Sequence, residues 1–384
     1  MIVPLRSILE AAEKHGYAQG AFNVNAVAQA KAVVQIHEMF RSAAIIQGAD
    51  LANAFMGGRA DFANGTLEDK KTGANNIANA VRAYAENSPI PVAIHLDHGK
   101  TVDSCLAAMD GGYTSVMVDG SHLSFDENVE LTREVVRLAH PRGVTVEGEL
   151  GVLAGTEDNI SFENSTYTNP LSAIEFIKKT RVDALAISYG TKHGANKGKD
   201  AVIRKEIAIA IKECLRHERL FCALVSHGSS TVPQYIVDEI NVLGGDIRDA
   251  NGISKEQLRE AAHIGISKIN VDTDIRLAVT RNMRELFYKK PDLRGDPSVS
   301  GIYTLLAERR SDFDPRVFLT PIMDTVMHGV IPTDAVAEIC NCIEMGVREV
   351  VGALIVEFDS LGKAPMVECI SLDEMAERYT KAGI

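Results

Sequence analysis

Short apolar runs and longer helical patterns alternate along most of the chain. The apolar runs are too short for buried helices and are rich in Val, Ile and Ala, as strands buried on both faces are. Eight runs of this kind occur, at residues 20–25, 43–47, 92–96, 115–119, 144–149, 184–188, 221–225 and 267–271. Eight such strands with helices between them predict an α/β fold in which the strands close into a parallel (β/α)8 TIM barrel.

The remaining patterns predict additions to this barrel. Residues 51–87 carry extra turn-rich and helical sequence, which indicates an insertion after the second strand, and residues 274–288 have the pattern of the helix that follows the eighth. A loop rich in Pro, Gly and Asp comes next, at 289–300. We therefore expect one TIM-barrel domain over 1–384, in which about 289–384 form a loop and a C-terminal helical extension.

Two helices are predicted within this extension. Apolar residues recur at helical spacing over 333–358, which indicates a long amphipathic helix. A helix beyond the needs of the barrel often covers a subunit interface, and we expect this one to do so. Ser371 and Glu374 have the spacing of a capping box, which predicts a terminal helix up to Tyr379.

Composition narrows the class of protein. The chain has 384 residues, of which 46% are hydrophobic, so it can bury a large core. Its net charge of -12 disfavours nucleic acid or an anionic membrane as the main partner. No apolar run approaches the roughly 18 residues of a membrane span, and the first residues lack a signal-peptide pattern. The six cysteines show no metal-type spacing, which suits a reducing compartment, and we expect a cytoplasmic protein.

Candidate chemistry begins at residues 91–99, an apolar run that ends in Asp97 and His98. Ligands and catalytic side chains of parallel α/β proteins gather at the carboxyl ends of strands, so these two residues are candidates for chemistry. The alternative is a core histidine beside a capping aspartate. His95 lies within the strand and is expected to pack or to support the site.

Two further histidines have the same placement. His98, His193 and His227 follow the third, sixth and seventh strands, so a barrel would bring them over one mouth. Three imidazoles that leave one position open are typical of a catalytic zinc, which polarises a substrate oxygen. Scattered structural histidines are the alternative, because the sequence separations alone decide nothing.

Candidate anion-binding groups follow the same strand ends. Gly228, Ser229 and Ser230 follow one strand, and Asp272 and Thr273 follow the next, where barrels commonly bind phosphate. A second anion site could be formed by Gly194, Lys197 and Arg276. A glycine-serine turn is by itself usually only a turn, and its value here is its place beside a candidate metal ligand.

The chain resembles class II, metal-dependent fructose-bisphosphate aldolases along nearly its whole length. Matching stretches occur in order at 21–25, 95–99, 115–122, 149–151, 155–158, 190–194, 227–233, 270–278 and 313–316, and 370–379 resembles the tail of the longer members. The resemblance implies reversible cleavage of fructose 1,6-bisphosphate to dihydroxyacetone phosphate and glyceraldehyde 3-phosphate, a lyase reaction of glycolysis and gluconeogenesis. It also implies a homodimer or higher homo-oligomer, a bound Zn²⁺ or other divalent metal, and room for a monovalent cation.

The resemblance assigns roles to individual residues. It implies that His98, His193 and His227 bind zinc, with Glu149 as a supporting residue or an alternative ligand. Asp97 would act on the hydroxyl proton whose loss breaks the carbon–carbon bond, and Glu157 would exchange the proton of dihydroxyacetone phosphate. The implied substrate contacts are Asn23 and Asn270, one phosphate site at Gly194, Lys197, Gly228, Ser230, Asp272 and Thr273, and another at Arg276 and, across a dimer interface, Arg316.

Two departures from the family pattern keep other functions open. Ala49 stands where the family usually has a serine, and Lys192 stands where a serine commonly precedes the zinc histidine. A tagatose-1,6-bisphosphate aldolase is the close alternative, since sequence does not settle the configuration at one carbon. A catalytically weak barrel that binds sugar phosphate is the alternative from another class.

Overall fold

The predicted TIM barrel is confirmed by the computed structural model, which describes residues 1–153, 155–157, 160–162, 166–198 and 202–384, with only the backbone at 156, 157 and 160–162. Eight parallel strands close in the order β1-β2-β3-β4-β5-β8-β9-β10, while β6 and β7 form a separate antiparallel pair. The strands are β1 (Gln19–Asn23), β2 (Ala44–Ala49), β3 (Val92–Gly99), β4 (Ser115–Val118), β5 (Thr145–Leu150), β6 (Gly155–Glu157), β7 (Ile160–Phe162), β8 (Ala184–Ile187), β9 (Ala223–Ser226) and β10 (Ile266–Val271).

Helices surround this barrel and extend beyond it. They are α1 (Leu5–His15), α2 (Val27–Phe40), α3 (Asp50–Met56), α4 (Leu67–Ala85), α5 (Val102–Asp110), α6 (Phe125–Ala139), α7 (Pro170–Thr180), α8 (Lys205–Glu218), α9 (Gln234–Val242), α10 (Lys255–His263), α11 (Thr273–Lys289), α12 (Ser300–Glu308), α13 (Pro315–Phe318), α14 (Met323–His328), α15 (Asp334–Glu357) and α16 (Leu372–Ala382). Among the described helices, none has both the length and the apolar composition that crossing a bilayer requires.

Side chains of the strands point alternately to two hydrophobic cores. One set, including Phe22, Ile46 and Ile94, packs beneath the surrounding helices. The other set, including Ala21, Ile45 and Ala93, joins Leu5, Ile8 and Leu9 of α1 inside the barrel. Because α1 supplies apolar residues to this inner core and contacts the strands, it closes the amino-terminal end of the barrel. The carboxyl ends of the strands are left to form the site.

The predicted additions are present as helices. The insertion after β2 consists of α3, a short 3-10 turn at Phe62–Asn64 and α4, which begins at a capping box of Thr66 and Asp69. The helix predicted over 333–358 is confirmed as α15, and the terminal helix is confirmed as α16 with its Ser371–Glu374 capping box. In the chain, α15 packs against α2 and α11, so much of its surface is buried within one protomer. Its predicted place at a subunit interface stays a prediction.

Candidate active site

Asp97 and His98 lie at the carboxyl end of β3, where the backbone leaves regular strand geometry. The pairing with β4 shifts register between Leu96 and Gly99, and His98 adopts a positive φ of 50°. A non-glycine residue in this region is strained, and such strain persists where the surrounding structure fixes it, often at functional sites. Both side chains are almost completely buried. The irregularity therefore places two successive polar side chains at the mouth of the barrel.

The three predicted metal ligands converge at this mouth. One ring nitrogen from each of His98, His193 and His227 lies within 4.8 Å of the other two. The Nε2 atom of His98 is 2.9 Å from Nδ1 of His227, and the ring centroids of His98 and His193 are 5.2 Å apart. Three neutral imidazoles around one point are the donor set of catalytic zinc sites. The side chains present therefore fit a divalent metal of this kind.

A buried ion pair orients one of these histidines. The Nε2–H group of His227 donates to Oε1 of Glu147 at 2.7 Å, and Lys268 Nζ donates to Oε2 of the same carboxylate at 2.9 Å. Burial opposes ionisation of Glu147, but Lys268 and the hydrogen bond from His227 hold its pKa well below the usual value. Burial lowers the pKa of His227, which favours its neutral form. With Nε2 occupied, Nδ1 is left to act as a ligand.

Amide side chains hold the carboxylate of Asp97 on both sides. Asn23 Nδ2 donates to Oδ2 at 2.8 Å, and Asn270 Nδ2 donates to Oδ1 at 3.0 Å. The amide of Asn23 is held by Gln47, and that of Asn270 accepts from Lys268. Since Lys268 is a donor only, it fixes which end of the Asn270 amide faces Asp97. The carboxylate is therefore held in one orientation beside the three histidines.

Two more carboxylates lie on the other side of His98. Asp119 Oδ2 is 3.1 Å from His98 Nδ1, and Glu149 Oε2 is 3.7 Å from the same atom. Burial opposes ionisation of Asp119, but the hydrogen bond and charge of His98, together with Ser121 and Lys100, hold the pKa of Asp119 well below its usual value. His98, Asp119 and Glu149 form a second group of side chains that could hold a metal. The geometry thus fits the expectation that Glu149 supports His98 or offers an alternative ligand.

The predicted phosphate ligands line one polar cleft, and its wall also includes Asn23, Asp97, His193, His227 and Asn270. The cleft, of about 110 Å³, includes every predicted member of the first phosphate site: Gly194, Lys197, Gly228, Ser230, Asp272 and Thr273. Gly228 has a φ of 61°, and a Cβ atom there would lie 2.5 Å from the carbonyl oxygen of Lys192. Lys197 Nζ donates to that same carbonyl at 2.5 Å. Only glycine fits at position 228, so the chain passes close enough to present backbone N–H groups.

The two predicted arginines of the second anion site differ in placement. Arg276 lines the cleft, donates to Asp272 and lies 3.2 Å from Asp314. Arg316 is buried, pairs with Asp314 at 2.7 Å and stacks 4.4 Å above the ring of Phe62. Asp314 therefore joins the two guanidinium groups within one chain. Burial opposes its ionisation, but Arg276 and Arg316 lower the pKa of Asp314 to about 2.

The remaining predicted positions are described in part. Glu157 ends β6, and its side chain lies outside the described residues. Ala49 pairs in register with Asp97, so its methyl group lies next to the proposed base. Asp50 is turned to Lys70 at 2.5 Å, and the side chain of Lys192 is exposed.

Sequence reasoning missed the residues that support the site. Each of four side chains contacts a predicted site residue, but none was predicted to do so: Glu147, Lys268, Gln47 and Asp119. A signal was available for two of them, because Glu147 and Lys268 interrupt strands that were predicted to be buried on both faces. A fully buried acid and base are rarely tolerated unless they are paired.

Comparison with known proteins agrees with this geometry. The family model described as fructose-bisphosphate aldolase class-II matches residues 3–345. A fructose-bisphosphate aldolase of Thermus caldophilus is 38% identical, over 86% of this chain and 96% of its own length. One of Xanthobacter flavus is 34% identical, over 100% of this chain and 98% of its own length.

Solved structures show the same fold. The YdjI aldolase of Escherichia coli K12 superposes with a TM-score of 0.64 at 23% identity, covering 95% of this chain and 100% of its own. The fructose-bisphosphate aldolase of Campylobacter jejuni gives a TM-score of 0.64 at 19% identity, covering 94% and 96%. The family match spans the barrel and the residues of the cleft. The chain therefore belongs to the class II fructose-bisphosphate aldolase family.

Proposed function

We propose that this protein catalyses the reversible, metal-dependent aldol cleavage of fructose 1,6-bisphosphate into dihydroxyacetone phosphate and glyceraldehyde 3-phosphate. The observation that carries the proposal is the convergence of His98, His193 and His227 beside the carboxylate of Asp97. The family membership and the names of the curated relatives support the substrate.

Zn²⁺ is the proposed metal, held by His98, His193 and His227, with Glu149 as the supporting or alternative ligand. A divalent cation bound there supplies positive charge that offsets the negative charge developing on substrate oxygens during carbon–carbon cleavage. Glu147 would keep His227 oriented for this purpose, since its carboxylate accepts a hydrogen bond from Nε2 and leaves Nδ1 for the metal. A bound monovalent cation stays a prediction.

Asp97 is the proposed general base. Retro-aldol cleavage requires removal of a proton from the hydroxyl group beside the bond that breaks, and a carboxylate can accept it within hydrogen-bond reach. Asn23 and Asn270 hold both oxygens of Asp97 in place, so the group does not need to reorient before it reacts. Asn270 is the proposed contact to the reacting carbons, and Glu157 the proposed group that exchanges the proton of dihydroxyacetone phosphate.

The two phosphates of the substrate are assigned to two parts of the cleft. The first phosphate would be bound by the backbone and side chains of Gly194, Lys197, Gly228, Ser230, Asp272 and Thr273. The second would be bound by Arg276, with Arg316 reaching across a dimer interface as the resemblance implies. Arg316 also has a role within its own chain. It stacks on Phe62 and pairs with Asp314, and Asp314 in turn pairs with Arg276 and helps to position it.

The proposed setting is the cytoplasm, as a homodimer or larger homo-oligomer. The six cysteines are all free thiols, which suits a reducing compartment.

The test is a cleavage assay of the zinc-loaded protein on fructose and tagatose 1,6-bisphosphate, with triose phosphate release as the readout. We expect the fructose form to be cleaved faster, and Asp97→Asn to lower the rate by about 10²–10⁴, as loss of a general base does. Asp246→Asn, an exposed acid paired with Arg248, is the matched control and should keep the wild-type rate. Metal content should be equal in all three proteins.

Three outcomes would count against the proposal. Faster cleavage of the tagatose form would transfer the assignment to the alternative substrate, and cleavage of neither would leave only a sugar-phosphate-binding barrel. Loss of zinc in Asp97→Asn would make Asp97 a metal ligand rather than a base.

A further inference from the structure

A second cavity lies outside the barrel mouth, between α11, α12 and the 3-10 turn at Pro291–Gly295. It has a volume of about 300 Å³, and three arginines line it: Arg284, Arg294 and Arg310. Aromatic side chains of Phe287, Tyr288 and Tyr303 complete its wall. We call this cavity the arginine pocket. It shares no lining residue with the active-site cleft as described above.

The three guanidinium groups have backbone carbonyls as their hydrogen-bond partners. Arg284 Nη2 donates to Leu306, Arg294 Nε to Phe287 and Arg310 Nε to Gly244, at 2.8–2.9 Å. Within the described part of the chain, no carboxylate lies within ion-pair distance of any of them. The hydrogen bond from Arg248 and, to a smaller extent, the charge of Arg310 lower the pKa of Asp246, but the Asp246 carboxylate is paired with Arg248 at 2.9 Å.

Arg284 is the group whose placement is hardest to explain without a ligand. Only 6% of its surface is exposed, and its Nε–H group has no hydrogen-bond partner among the described residues. Burial, and then the charge of Arg310, lower the pKa of Arg284. A buried charge without a counter-ion is costly, and arginine stays protonated even so. This cluster of positive charge is also local, because the chain as a whole carries 40 basic and 52 acidic residues.

The chemistry of the wall points to the occupant. A guanidinium group presents a planar fork of donors that matches the oxygens of a phosphate. Arg294 lies 5.2 Å from the ring centroid of Tyr303, which packs on Phe287, so an apolar or planar face lies next to the donors. A volume of this size is at the lower end of small-molecule sites. We propose that the arginine pocket is a second ligand site, which binds the phosphate of a small phosphate monoester.

The site is separate from the reaction. Thr273, in the cleft, begins α11, and Arg284 lies on the same helix about 16 Å further along its axis. Binding in the arginine pocket therefore does not depend on the proposed aldolase activity.

The experiment is isothermal titration calorimetry of the metal-loaded protein with AMP, glucose 6-phosphate and inorganic phosphate. The cleft can bind phosphate in every variant, so the informative quantity is the binding lost on Arg284→Met. We expect the wild type to bind AMP or glucose 6-phosphate at one site that Arg284→Met leaves unfilled at the same ligand concentration. The reason is that the variant should bind at that site at least about tenfold more weakly. Binding of AMP alone would indicate a nucleotide, and binding of glucose 6-phosphate alone a sugar phosphate.

Arg281→Met is the matched control, since Arg281 lies one turn earlier on α11 and is paired with Glu239 and Glu349. It should bind like the wild type, and both variants should cleave substrate at the wild-type kcat/KM. Arg310→Ser, at the exposed rim, replaces Arg284→Met if that variant does not fold. Equal binding by the wild type and the pocket variants, or an extra site for inorganic phosphate only, would overturn the proposal.

Discussion

His227 and Asp97 both depend on Lys268, to which the proposed mechanism assigns no contact with the substrate. Lys268 donates both to Glu147, which orients His227, and to Asn270, which orients Asp97. One buried ammonium group thus fixes a proposed metal ligand and the proposed base together. Leaving a buried charge unpaired costs several kcal/mol, so neither member of the Lys268–Glu147 pair can be replaced alone without a large penalty.

Ala49 and Lys192 are the two positions at which this chain departs from its family pattern, and Ala49 lies next to the proposed base, Asp97. Its partner across the sheet is Asp97, so a hydroxyl group at position 49 would lie next to the proposed base. Asp50 does not compensate, because it pairs with Lys70 away from the cleft. A hydrogen bond to a charged group contributes about 1.5–3 kcal/mol. We expect Ala49→Ser to raise kcat/KM for fructose 1,6-bisphosphate by roughly tenfold.

Steady-state cleavage assays on both bisphosphates check this expectation. Ala52→Ser, on the buried face of α3 and outside the cleft, is the control for the same chemical change and should leave the rate unaltered. If Ala49→Ser left the fructose rate flat and lowered it for the tagatose form, the loop would instead be adapted to the second sugar.

At the scale of single elements, the strands were predicted well because each is an apolar run that needs burial on both faces. Their ends were less certain. The apolar run of the third strand ends at Leu96, but β3 continues to Gly99, the residue at which the sequence indicates that the strand stops. Local hydropathy does not encode the register shift between Leu96 and Gly99 or the positive φ of His98, because both depend on contacts with β4. Asp97 and His98 therefore lie inside the strand, at its carboxyl end.

One helix carries a pH-sensitive group. His37 on α2 is completely buried beside Phe22, and its Nδ1–H donates to the Val33 carbonyl at 2.7 Å. Burial lowers the pKa of His37 to about 4. The unfolded chain takes up this proton near pH 6.5, so the neutral imidazole stabilises the fold above that pH, and the contribution is lost as the pH falls toward 4. The loss is roughly 3 kcal/mol over this range.

Denaturant unfolding of the wild type and His37→Leu between pH 7.5 and 4 measures this effect. The wild type should lose stability relative to His37→Leu as the pH falls, because leucine binds no proton. All other side chains are the same in the two proteins, so their contributions cancel in the comparison. Parallel pH profiles for the two proteins would show that His37 does not titrate as its burial requires.

For the whole molecule, the sequence predicted the barrel and the convergence of three histidines at its mouth, because strand ends of a parallel barrel meet whatever their separation along the chain. His98, His193 and His227 are far apart in sequence but share this position. Contacts among the additions could not be predicted in the same way. Arg316 stacks on Phe62 of the insertion and α15 packs between α2 and α11, and both depend on how long segments fold back on the barrel.

In the proposed mechanism, cleavage requires a divalent metal held by the three histidines. The most direct measurement is the rate of fructose 1,6-bisphosphate cleavage against bound metal, after prolonged chelation and stepwise return of zinc or cobalt. We expect activity to fall with the metal and to return in proportion to it, reaching its maximum near one ion per chain. Full activity in metal-free protein, or trapping of substrate on a lysine by borohydride, would contradict the account.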